Sequence, residues 1–170
     1  MKLSKNFSLN EMTRSQTATR KGIANTPSSS HESALILLCE NILQPIREHF
    51  GKPVRITSGY RSPELCIAIG SSVNSQHAKG QAADFEITGI SNQVLAEYID
   101  DNLNYDQLIL EFWNKSDPNS GWVHCSFNNK VQNRKQFLRA YRKDGKVKYD
   151  TYNKQDYVTE SDVISGAKAK

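Results

Sequence analysis

Three stretches of this chain alternate between apolar and polar positions, and that alternation constrains the fold more than any other feature. In residues 82–87, Ala83, Phe85 and Ile87 fall on one face of an extended strand and Ala82, Asp84 and Glu86 on the other. In residues 107–113, Leu108, Leu110 and Phe112 oppose Gln107, Ile109, Glu111 and Trp113. In residues 122–127, Val123, Cys125 and Phe127 oppose Trp122, His124 and Ser126. Successive side chains of a strand point to opposite faces, so each stretch has one face for a core and one that carries a polar group. Pairing the three in one sheet, apolar faces on the core, sends Asp84, Glu111 and His124 to the same side. His77 lies in the loop that leads into the first stretch and can reach over that side.

Helical signals surround these strands. Ser8-Leu9-Asn10-Glu11 has the spacing of a capping box and opens a helical turn or two. Residues 15–30 read as loop, pinned by Ile23. Residues 31–50 place Leu35, Leu38, Cys39, Ile42, Ile46 and Phe50 at steps of three and four, a helix that Pro45 should kink or split. His31 precedes that helix and His49 ends it, and both read as structural. Residues 54–58 form a β-branched strand. Ser62-Pro63-Glu64 starts a helix closed by Gly70, and Ser91 caps another whose buried face is Val94, Leu95 and Tyr98. Residues 137–152 predict a hairpin turning at Asp144-Gly145. Helices first and strands after give an α+β class with a small antiparallel sheet packed against helices. One domain over 1–154 is expected, with residues 155–170 as a frayed tail.

Composition excludes some classes. No run approaches the roughly 18 apolar residues of a membrane helix. The polar start, residues 1–10, predicts no Sec-type signal peptide and therefore synthesis in a cytoplasm. Cys39, Cys66 and Cys125 lack framework spacing and read as reduced, buried thiols. The net charge of +4 suits an anionic polymer, and Arg139, Arg142, Lys143, Lys146 and Lys148 could line a phosphate-tracking ribbon. A lysine-protected sheet edge explains the same residues more simply.

His77, Asp84 and His124 together match what a catalytic zinc requires, three nitrogen or oxygen ligands and one open position. Small residues at Ala78, Gly80, Ala82 and Ala83 let the backbone pass close to an ion. Glu111 lies on the same side as a proton acceptor, with Glu86 as a second candidate supported by alternation alone.

These residues resemble the zinc D-alanyl-D-alanine carboxypeptidase family, which includes vancomycin-resistance D,D-dipeptidases and phage endolysin L-alanyl-D-glutamate peptidases. The family shares its fold with the hedgehog signalling domain. Its pattern S-x-H-x-x-G-x-A-x-D is matched at Ser75, His77, Gly80, Ala82 and Asp84, and its W-x-H at Trp122 and His124. Residues 56–62 resemble its S-G-Y-R-S segment. Leu43-Gln44-Pro45-Ile46-Arg47 and residues 7–12 are similar to compact phage and prophage members. The resemblance covers about residues 6–128. It implies zinc held by His77, Asp84 and His124. It implies that Arg61 stabilises an oxyanion or anchors a substrate carboxylate, and that Ser75 binds substrate or orients the histidine loop.

The resemblance further implies a peptidase acting on peptidoglycan stem peptides, reaching the wall after holin-type release or as a virion component, and a monomer is expected. It leaves open which bond is cut. One departure stands out. Many members carry the catalytic glutamate three residues before the last histidine, where this chain has Gly121. Glu111 is the expected replacement. The alternative is a zinc-containing wall-binding module without catalysis.

Overall fold

The computed structural model describes residues 1–157. A single 3-10 turn, Lys154–Tyr157, overlaps the start of the expected tail at 155, and residues 158–170 lie outside the described residues. The helices are α1 (Leu9–Thr13), α2 (Gln16–Lys21), α3 (Ser29–Leu38), α4 (Gln44–Phe50), α5 (Pro63–Ala68) and α6 (Asn92–Asn102). The strands are β1 (Arg55–Ser58), β2 (Ala82–Glu86), β3 (Gln107–Glu111), β4 (Trp122–Ser126), β5 (Gln136–Lys143) and β6 (Lys146–Thr151). They join one sheet in the order β1-β2-β4-β3-β5-β6. The α+β class is as expected, but the sheet is not purely antiparallel, because β5 runs parallel to β3. After β4 the chain crosses β3 and adds the predicted hairpin as the last two strands of the sheet.

Local chemistry accounts for most boundaries. Ser8 and Glu11 close the predicted capping box of α1. Between α3 and α4 the chain makes one wide π turn, Cys39–Leu43, in which the Gln44 N–H donates to the Cys39 carbonyl. Proline has no N–H and its ring crowds the carbonyl four residues back. The widened turn carries the helical path past Pro45, so the predicted kink is a local change of pitch. The helix begins at Ser29, with the Ser28 hydroxyl accepting from the His31 N–H, and His31 lies inside it rather than before it. Residues 16–21, read as loop, form α2 between a Ser15 cap and a left-handed Gly22. Ala18 is the one buried residue of α2, so no apolar period marks it.

The apolar faces predicted for the central strands do meet the helices. Ala83, Phe85, Ile87, Leu108, Leu110, Val123, Cys125 and Phe127 join Leu35, Leu38, Ile42 and Ile99 in one core. On α6 the buried side chains include Leu95, Ala96 and Ile99, whereas Val94 is 44% exposed, correcting its expected place. Asn92 is buried because its amide donates to the carbonyls of Ser120 and Gly121, the turn that enters β4. Cys39, Cys66 and Cys125 are free and buried. Among the described residues no helix is long and apolar enough to cross a membrane.

Phe112 breaks the expected alternation. It has a φ of 53°, and the strand ends one residue earlier, at Glu111. Its N–H donates to the Ala140 carbonyl of β5 at 2.9 Å. Left-handed backbone at a bulky residue is uncommon and persists only when its surroundings over-determine it. The ring therefore lines the polar side of the sheet, while Trp113 packs against the core.

Candidate metal centre

Antiparallel pairing of β2 with β4 sets Asp84 directly opposite His124. The third member arrives on a 3-10 turn, Gln76–Lys79, just before β2. The Ser75 hydroxyl caps that turn by accepting from the His77 N–H. Ser75 thus sits beneath the His77 backbone, and it is not among the residues that line the cleft described below.

The His77 ring is held from behind. A carbonyl only accepts, so the 2.7 Å contact between His77 Nδ1 and the Gly59 carbonyl puts the proton on Nδ1. Nε2 then presents a lone pair to His124 Nδ1 at 3.3 Å and to Asp84 Oδ1 at 3.4 Å. His124 Nδ1 also lies 2.9 Å from Asp84 Oδ1. Gly59 is pressed against α1, where an added Cβ would stand 2.4 Å from the Met12 carbonyl oxygen. That close approach is what brings the Ser-Gly-Tyr-Arg segment up to His77.

Burial lowers the His77 imidazole below its ordinary value, outweighing the pull of Asp84. Burial alone would raise the Asp84 carboxyl, but His77 and His124 together hold it well below the usual carboxylate range. The group is therefore a neutral imidazole lone pair and an ionised carboxylate facing one point. One ligand atom from each of His77, Asp84 and His124 lies within 4.8 Å of the others, and all three residues are buried. A lone pair facing a carboxylate oxygen in a dry site is unfavourable without a cation. Two imidazoles and a carboxylate are a donor set that zinc accepts, and the Gly59 carbonyl is the outer partner such a histidine needs.

Arg61 donates from Nη2 to Asp84 Oδ2 at 3.0 Å and from Nε to Ser58 Oγ at 2.9 Å. It takes one carboxylate oxygen of Asp84 and leaves the other to the histidines. Among the described residues Nη1 has no hydrogen-bond partner.

Glu111 stands opposite Trp122 on β4 and beside Ala140 on β5. It is 9% exposed and forms no ion pair among the described residues. Burial pushes its carboxyl up to about 7, with His124 and Arg61 opposing and Asp84 adding. Glu86 points the same way along β2 but is bound by Arg55 at 2.6 Å and does not line the cleft. Gly121, the residue at the usual glutamate position, has a φ of 66°, and an added Cβ would lie 1.8 Å from the Glu111 carbonyl oxygen. No side chain fits there. The turn that admits only glycine is the same turn that presses β4 against the end of β3, at Glu111.

These groups open on a cleft of about 330 Å³, lined by Arg61, His77, Asp84, Glu111 and His124, with Phe112 and Trp122 at one side. Gln107 and Ile109 of β3 add to it, and Val147 and Tyr149 of the terminal hairpin complete the lining, a contribution that strand alternation in residues 82–127 could not reveal. A larger cavity of about 590 Å³ lies between α2, the edge strand β1 and α5. It shares Arg61 but contains none of the converging ligand-type groups. The cations once grouped as a ribbon divide between the hairpin's faces. Arg142 falls on the cleft face with Val147, and Arg139 on the other, paired with Asp150.

A search among curated proteins found no match. A family model described as Peptidase M15 matches residues 5–126, from just before α1 to the end of β4, and so takes in His77, Asp84, Glu111 and His124. M15 peptidases are typically zinc-dependent, which agrees with the donor set found here, and with most of its length matched this chain belongs to the peptidase M15 family.

Proposed function

We propose that the protein is a zinc metallopeptidase that hydrolyses peptide bonds in the stem peptides of bacterial peptidoglycan. The observation that carries the reading is the buried His77–Asp84–His124 triad within 4.8 Å, opening on the cleft that also holds Glu111. His77, Asp84 and His124 would hold the ion. When bound, zinc supplies Lewis-acid polarisation of a carbonyl and brings the acidity of water near neutral pH.

The chain's own residues supply the proton transfers. Glu111 takes a proton from the water that attacks the scissile carbonyl carbon. It returns that proton to the amine nitrogen as the carbon–nitrogen bond breaks. A buried carboxyl that burial raises toward neutrality can both accept and return a proton. Arg61 balances the charge that develops on the carbonyl oxygen, with Nη1 as the donor. Its bonds to Asp84 and Ser58 hold the guanidinium in place beforehand. Ser75 orients the His77 turn. Peptidoglycan enters the reading through the motif resemblance, and a holin-type pore or the virion would bring the protein to the wall.

Mass spectrometry of purified muropeptides tests this. Incubation with zinc-loaded protein should release new peptide termini, and a chelated control should not. Intact muropeptides in both arms would sink the proposal and favour a wall-binding module without catalysis.

A further inference from the structure

The cleft has a wall that the peptidase chemistry above does not use. Parallel pairing sets Leu138 and Ala140 of β5 beside Ile109 and Glu111 of β3. Antiparallel pairing then places Tyr149 opposite Ala140 and Val147 opposite Arg142. All of these share the sheet face that carries Asp84, His124 and Glu111, so the metal side of the sheet continues without a break onto the hairpin. Val147 is 39% and Tyr149 55% exposed, yet both line the cleft. Isolated apolar residues on a surface are ordinary, but apolar residues that border a polar site invite an occupant.

Two further observations give that occupant its chemistry. The Arg142 guanidinium carbon lies 5.0 Å from the centre of the Phe112 ring, which is itself a cleft residue. Arg142 forms no ion pair among the described residues, so its charge is available at the end of an apolar wall. The hairpin is also firmly placed. Phe137 and Tyr152 stack at 4.0 Å, and the Tyr152 hydroxyl donates to Glu97 of α6. The family match ends at residue 126, before the hairpin begins.

We propose that the β5–β6 hairpin forms a substrate subsite. The flank of a peptide residue beside the scissile bond lies on Val147 and Tyr149, and a free carboxylate on that residue pairs with Arg142. The ligand class is a carboxylate-bearing peptide, and the inference rests on the peptidase reading for its substrate. Specificity would then be set by a segment outside the part of the chain that matches the family.

The test compares the wild type with Arg142→Gln and Tyr149→Ala. Both residues are exposed, and unchanged thermal midpoints and zinc content check that the variants fold. The probes are an N-acetylated stem pentapeptide with a free carboxylate on its second residue and the same peptide amidated there. Binding is followed by tryptophan fluorescence, since Trp122 borders the cleft, and cleavage by chromatography. Arg142→Gln should weaken binding of the acidic peptide about tenfold, raise its KM, leave kcat nearly unchanged, and leave the amidated peptide unaffected. Tyr149→Ala should weaken both peptides. Wild-type cleavage with neither variant altered overturns the subsite alone. Wild-type binding without cleavage, with both variants weakened, supports the subsite and overturns the peptidase reading. A wild type that neither binds nor cleaves overturns both.

Discussion

Glu111 and Gly121 form one unit. The glycine has no room for a side chain because its backbone packs on the Glu111 carbonyl. Position 121 therefore carries no carboxylate, and the nearest one stands at the end of the neighbouring strand, on Glu111. Glu111→Gln should lower kcat about 10²- to 10⁴-fold on a cleaved muropeptide while zinc content stays unchanged. Only the ionised carboxylate accepts a proton, so activity should fall as pH drops through the Glu111 value. Without metal that value is about 7, and the charge of bound zinc moves the limb lower. The pH–rate profile of the zinc enzyme should thus bend at or below neutrality, and the residual rate of Glu111→Gln should lack that limb. Gly121→Ala should destabilise by about 2 kcal/mol or more, since it adds left-handed strain to a direct overlap. A lower urea midpoint would show it. An unchanged midpoint would mean that the turn is looser than its geometry states.

Among the elements, the 3-10 turn that carries His77 depends on a partner far along the chain. Asp106, 3% exposed, accepts from the Gln76 amide at 2.8 Å and from the Arg134 guanidinium and N–H. It ties the histidine turn to the loop that crosses β3. Burial alone would raise its carboxyl, but Arg134 and Gln76 together hold it below the ordinary value. A carboxylate whose folded value is depressed stabilises the fold above its unfolded value, about 3.9. That contribution disappears as pH falls through the folded value. Asp106→Asn should therefore lose about 1–3 kcal/mol at pH 7. In strong acid it should converge with the wild type. Urea titrations at the two pH values measure this, and a gap that persists in acid would point to packing instead of charge.

For the whole molecule, the sheet is both the floor of the core and the frame of the site. Its helix side is sealed by apolar side chains, and its other side carries the ligand-type residues. A zinc ion held by His77, Asp84 and His124 would bind the folded arrangement and not the dispersed chain. At a hundredfold excess over Kd it should stabilise by about 2.7 kcal/mol. A chelator should return the thermal midpoint to the metal-free value, and His77→Ala should show no zinc-dependent rise. The hairpin belongs to this frame. Truncation after residue 128 would uncover the β3 edge and remove Phe137 and Tyr152 from α6, so the shortened chain should be largely insoluble when expressed.

Period-two alternation placed Asp84, Glu111 and His124 on one side, and the position of His77 in the loop entering the first strand brought it over that side. Those are properties of neighbouring residues, and within a regular strand the geometry fixes them. The helix starts capped by Ser8, Ser62 and Ser91 and the hairpin turn at Asp144-Gly145 were legible for the same reason. Val94, α2 and Phe112 were not, because each depends on what packs against it and not on its own period. The parallel pairing of β5 with β3 was the largest omission. No local signal records which strand a distant hairpin will join, since that choice is made by the burial of Phe137, Ala140 and Tyr152 against partners far away in the chain. The sequence by itself determined the candidate ligands and the side of the sheet they share. Only the tertiary structure decided that Gly121 must be bare, that Arg61 holds Asp84, and that the hairpin closes the cleft.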